Sequence, residues 1–177
     1  PSFMFHCGPR AAGQDGHAGW WTVDGKAGYA LVAGLQEEGF DPAFTMDAAL
    51  GTFFTIPVEF MGWQRSTPIA PLFVNSYVPP QPSATRCFAF GQALARALTR
   101  MRRRAVLIAS GGLSHYPGTA VYQDPGPDVA ADRAIFAQVE AGNLRHLLSI
   151  DEPTLDRIAS GNAEVTGSTQ SSNPGVE

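Results

Sequence analysis

Short apolar runs alternate with stretches of helical period along this chain. Phe3 to His6 is apolar and short enough for a buried strand. In Ala27 to Glu38 the residues Tyr29, Leu31, Val32 and Leu35 recur near helical spacing, and Gly39 supplies a stop. Pro42 to Met46 reads as a strand. Phe53 to Pro57 leads into an apolar segment, Val58 to Trp63, and Pro68 to Val74 has the character of a buried strand. The Pro79–Ser83 turn places Ser83 to cap a helix. From Ala84 to Arg102 the positions Phe88, Gly91, Leu94, Ala95 and Leu98 mark one apolar helix face. Ala105 to Ala109 is the next expected strand. Asp128 to Ala141 reads as a helix ended by Gly142. Two short helices, Leu144 to Ile150 and Thr154 to Ala159, follow. Pro9 to Val23, rich in Gly and carrying Trp20-Trp21, is read as loop. Strands alternating with helices predict an α/β class with a mixed or mostly parallel sheet flanked by helices.

After Glu164 the pattern fails. Val165 to Glu177 is Ser, Thr, Gly, Asn and Gln with one Pro, which cannot bury much surface and is expected to be disordered. Residues 1–164 are therefore read as the folded portion and 165–177 as a tail.

Composition narrows the function classes. The 177 residues are 44% hydrophobic and 16% charged, with a formal net charge of −4. That acidic balance argues against a nucleic-acid partner, which wants a basic face. The run Arg100, Arg102, Arg103, Arg104 is local and is read as a solvated helix end, where cations suit the helix dipole. No apolar run reaches the roughly 18–20 residues that span a bilayer, so no membrane partner is expected. Cys7 and Cys87 have neither CxxC nor zinc spacing, which fits a reducing cytoplasm. The chain opens on apolar residues, Pro1-Ser2-Phe3-Met4-Phe5, without a basic leader. That opening is expected of the middle of a protein.

The chemistry concentrates after the Ala105–Ala109 strand, in Ser110-Gly111-Gly112-Leu113-Ser114-His115. Two glycines let a backbone turn sharply and approach a ligand closely. His115 falls just past a strand's carboxyl end, where open α/β sheets place their sites, and imidazole moves protons near neutral pH. A histidine merely packed at a turn is the plainer alternative. Ser114 lacks the Gly-x-Ser-x-Gly setting of a hydrolase nucleophile. His146, on a helix beside Arg145, and His17, in a Gly-rich loop, read as ordinary surface or loop residues. His6, at a strand end, reads as structural before functional.

Ala109-Ser110-Gly111-Gly112-Leu113-Ser114-His115 resembles the signature of the LigB-like class III extradiol dioxygenases. Phe73-Val74-Asn75, Pro79-Pro80-Gln81-Pro82 and Arg86-Cys87-Phe88-Ala89-Phe90-Gly91 resemble the segments before that signature. Gly39-Phe40-Asp41 and Phe54-Thr55-Ile56-Pro57-Val58 match at similar spacing, as does Gly161-Asn162-Ala163-Glu164 downstream. The resemblance implies a LigB-like fold, present here as an incomplete domain, and ring cleavage of a catechol-type aromatic next to a hydroxyl with Fe(II) and O₂. It implies His115 as acid and base and Glu164 as an iron ligand in a facial triad; a solvated loop acid is the alternative for Glu164. The partners it implies are a small aromatic diol and O₂, with homo- or hetero-oligomers expected.

Three departures accompany it. The family's two iron-binding histidines would fall before residue 1. Thr52 stands where the family often has a substrate-facing histidine, and is carried as a substrate-binding candidate. Val165-Thr166-Gly167-Ser168 replaces an apolar, Trp-containing helix. An inactive fragment or a partner-binding scaffold is therefore the competing reading. A metal-dependent hydrolase would need a second ligand group that the neighbouring sequence does not supply.

Overall fold

The computed structural model describes residues 1–13, 19–76, 80–113 and 129–150. They fall into two compact units, Pro1–Gly111 and Gly112–Glu177.

In the first unit, strand β1 (Phe3–His6) is the centre of a three-stranded sheet. After it come a hairpin of β2 (Arg10–Ala12) and β3 (Trp20–Thr22), helix α1 (Gly25–Gln36) and strand β4 (Ala43–Thr45). Helix α2 (Thr52–Phe60), strand β5 (Leu72–Val74) and helix α3 (Ala84–Arg100) follow. β4 pairs parallel to β1, Met4 opposite Ala43, and β5 pairs antiparallel to it, Phe3 opposite Val74. The sheet is therefore mixed, as the alternation of elements predicts. Parallel pairing of β1 with β4 requires a crossover, and α1 supplies it.

The core forms where β1, α1 and α3 meet. Phe3, Phe5, Leu31, Val32, Leu35, Phe90, Ala93 and Leu94 are buried there. Phe3 stacks on Phe90 with ring centroids 3.8 Å apart, and Phe40 meets Phe90 edge-on at 5.3 Å. Small residues let the helices approach: a Cβ on Gly34 would stand 3.1 Å from the Ala97 methyl. The predicted Ser83 cap is in place, and Asp24 supplies a cap to α1 that the sequence analysis does not name. Asp24 accepts from the Ala27 N–H at 2.9 Å, and Ser83 accepts from the Arg86 N–H at 3.2 Å. Gly39 and Gly142 sit at φ of +79° and +69°, which suits them to close their helices.

A second cluster joins the hairpin to α2 through Ala11, Trp21, Val23, Leu50 and Val58. Pro9 to Val23 is thus not loop throughout. Strands of three residues are too short for an alternating pattern to show, and what fixes them is the pairing of Ala11 with Trp21. Phe53 to Pro57 lies within helix α2 despite its proline.

Two expectations meet a different outcome. Ala105 to Ala109 forms no strand; Val106 and Leu107 are 75% and 69% exposed. A strand apolar on both faces needs neighbours on both, and no described strand pairs with it. The arginine run is not simply solvated. Arg96 and Arg100 both bind Glu38 at the end of α1, Arg100 also donates to the Gly34 carbonyl, and Arg103 reaches Asp24 at 2.8 Å. Arg102 makes that reach by taking a left-handed turn, φ +51°.

In the second unit, α4 (Val129–Glu140) fills the predicted Asp128–Ala141 span as far as the described residues go, and a 3₁₀ turn covers Leu144–Ser149. Thr154 to Ala159 and the tail 165–177 lie outside the described residues.

Candidate functional site

The sequence points to the carboxyl ends of strands. At the end of β1, His6 is fully buried. Its Nε2 donates to the Arg10 carbonyl at 3.1 Å, and Nδ1 has no hydrogen-bond partner among the described residues. The chain then turns so tightly at Gly8 that a Cβ would lie 2.2 Å from the Met46 carbonyl oxygen. His6 thus ties the strand end to the hairpin and is structural, as read from the sequence. Cys7 follows, and burial pushes its thiol above the ordinary range, so the unreactive protonated form dominates.

Beside Cys7 starts α1. A Cβ on Gly25 would stand 2.2 Å from the Cys7 carbonyl oxygen, so glycine is needed for this approach. Asp24 is held below the usual carboxylate range, first by the Ala27 N–H and then by Arg103. Between these parts opens a groove of about 530 Å³, lined among others by Cys7, Val23, Lys26, Tyr29 and Pro68. Sequence reasoning missed it. The available signal was Asp24-Gly25-Lys26, a capping acid, a close-approach glycine and a cation in succession.

Thr52 is the first residue of α2, half-buried, behind Gly51 as the N-cap. Gly111 and Gly112 have neither a positive φ nor any atom within 4 Å of where a Cβ would be. The close approach read from their sequence is therefore not made within the described residues; the division between the two units falls between them. His115, Ser114, Glu164 and His17 lie outside the described residues. His146 is exposed on the 3₁₀ turn, an ordinary surface residue.

A mixed sheet with a crossover helix defines an α/β protein with its loops at strand ends. Residues 24–167 match the family model described as the catalytic LigB subunit of aromatic ring-opening dioxygenase. The chain belongs to that family. Among its relatives are proteins named 2,3-dihydroxyphenylpropionate/2,3-dihydroxicinnamic acid 1,2-dioxygenase. The one from Burkholderia vietnamiensis is 35% identical over 58% of this chain and 31% of its own length. The one from Rhodococcus sp. is 30% identical over 66% of this chain and 38% of its own. The chain thus aligns with about a third of the length of these relatives.

No group of three or more His, Cys, Asp or Glu side chains converges among the described residues. The orphaned Nδ1 of His6 is sealed in the core without a second donor. These residues on their own do not fit an iron centre. Among the described residues no helix is long and apolar enough to cross a membrane.

Proposed function

We propose that the chain contributes to a non-haem, Fe(II)-dependent extradiol dioxygenase that opens a catechol-type ring with O₂. His115 takes a proton from a substrate hydroxyl and returns it as the ring opens. Glu164 is the carboxylate among the iron ligands, and Thr52 contacts substrate. A reducing cytoplasm is the compartment that suits free Cys7 and Cys87. The family match carries this reading, because its span of residues 24–167 includes both His115 and Glu164. The relatives' printed substrates make an aromatic diol bearing a carboxylate side chain the substrate class to try first.

The test is ring opening by an Fe(II)-loaded form of the protein that also carries the family's two iron-binding histidines, supplied with 2,3-dihydroxyphenylpropionate. A coloured ring-opened product with one O₂ consumed per substrate supports the reading; no product and no O₂ uptake overturns it for this chain. A second reading, a partner-binding scaffold, is favoured by exposed apolar residues in the first unit. Phe60 is 91% exposed, and Val106 and Leu107, already noted, are mostly exposed as well.

A further inference from the structure

The groove at the start of α1 is built wholly from described residues of the first unit. Its volume of about 530 Å³ falls in the range of small-molecule sites, roughly 300–1,000 Å³. Its walls are apolar or aromatic at Pro9, Val23, Tyr29 and Pro68, with the Cys7 thiol among them. The Tyr29 ring is braced by Phe44, centroids 5.0 Å apart.

The charges in the groove do not cancel. Asp24 is the carboxylate there, and both its oxygens are engaged: Oδ1 accepts from the Ala27 N–H at 2.9 Å, and Oδ2 pairs with Arg103 at 2.8 Å. That leaves the Lys26 ammonium without an ion-pair partner among the described residues. Lys26 also acts on Asp24 at longer range, but Asp24 is already paired with Arg103, so the groove keeps a net positive end. Apolar walls beside that cation match a short hydrocarbon that ends in an anion. A bare inorganic anion would leave the walls unused, and a neutral aromatic would leave the cation unused.

We propose that this groove binds the side chain of an arylalkanoic acid, with Lys26 holding the carboxylate and Tyr29 packing against the hydrocarbon. The choice of an aromatic acid rests on the dioxygenase reading above; the charge and the walls are independent of it. Lys26 and Tyr29 are thereby specificity residues of this groove.

The experiment is a backbone-amide NMR titration of the whole chain with 3-phenylpropionate and, separately, with its neutral isostere 3-phenylpropionamide. Neither probe carries a diol, and neither iron nor O₂ is present. The groove is open and Lys26 is exposed, so an ion pair there adds about a fivefold preference for the acid. Shifts are expected at the amides of residues 22–29. Lys26→Met should bring the acid's affinity down to that of the amide and leave the amide's unchanged, which also shows that the variant is folded. Equal affinities of wild type for acid and amide, shifts confined to other residues, or an acid affinity that survives Lys26→Met would overturn the proposal. Lys26-dependent binding without ring opening would refute the dioxygenase reading alone. Ring opening without such binding would refute the groove alone.

Discussion

Helices α3 and α4 are both expected from the sequence, but α3 carries a marked apolar stripe and buries Phe90, Ala93, Leu94 and Ala97, whereas α4 has a much weaker one and buries none of its residues. The apolar segments Leu72–Val74 and Ala105–Ala109 differ in the same way. The first lies against β1 as a strand, whereas the second stays exposed and unpaired among the described strands. Periodicity states that a segment has an apolar face. Burial also requires a surface of matching shape. The first unit provides one for α3 through Phe3, Phe40 and Gly34.

The largest test of that contrast is a pair of truncations. Leu35→Ala removes a side chain with no exposure from the core and should cost about 2–5 kcal/mol in urea unfolding. Phe136→Ala on α4, at 58% exposure, should change stability by less than about 0.5 kcal/mol. Equal losses would erase the distinction. A glycine pair comes next. Gly25→Ala forces a methyl onto the Cys7 carbonyl and should cost about 1–3 kcal/mol. Gly112→Ala meets nothing and should shift stability by no more than about 1 kcal/mol either way. If Gly112→Ala nonetheless abolishes ring opening, that glycine serves the ligand and not the fold.

These contrasts mark how far the sequence could be read. Strand β1, helices α1, α3 and α4, the Ser83 cap and the Gly39 and Gly142 stops were all legible, because each is a local signal repeated over a turn or set by one residue. The β2–β3 hairpin was not, since three-residue strands are fixed by cross-strand pairing. The role of Arg103 was hidden because its partner Asp24 lies far away in sequence. His115 stands out by its Gly-Gly setting after an expected strand and Glu164 by resemblance alone; both lie outside the described residues, and neither a Gly-Gly turn nor a loop acid carries a signal of convergence of its own. The groove at Lys26 depends on three separate segments meeting, which no local pattern reports.

Smaller effects sharpen the picture at the junction of α1 and α3. Asp24 is more acidic folded than unfolded, so its contribution is present above the unfolded carboxylate value of about 3.9 and disappears as pH falls through the lower folded value. Glu38, lowered chiefly by its hydrogen bond from Arg100, behaves with the same sign. Asp24→Asn should cost about 1 kcal/mol at neutral pH, kept modest because Arg103 is 57% exposed and screened. It should also flatten the fall in melting temperature below pH 4. An unchanged acid limb would remove Asp24 from that junction. The smallest expected change is a gain: Arg102→Gly relieves a left-handed backbone and should stabilise by about 0.5–1 kcal/mol in the same unfolding assay.

The central claim is that His115 and Glu164 divide the work of one ring-opening centre, and it is tested most directly by measuring iron content and ring-opening rate together in a form of the protein that also carries the family's two iron-binding histidines, as wild type, His115→Ala and Glu164→Ala. The account predicts that His115→Ala keeps its iron and loses turnover by about a hundredfold or more, and that Glu164→Ala loses both. Equal iron loss in the two variants, or undiminished ring opening in either, would contradict it.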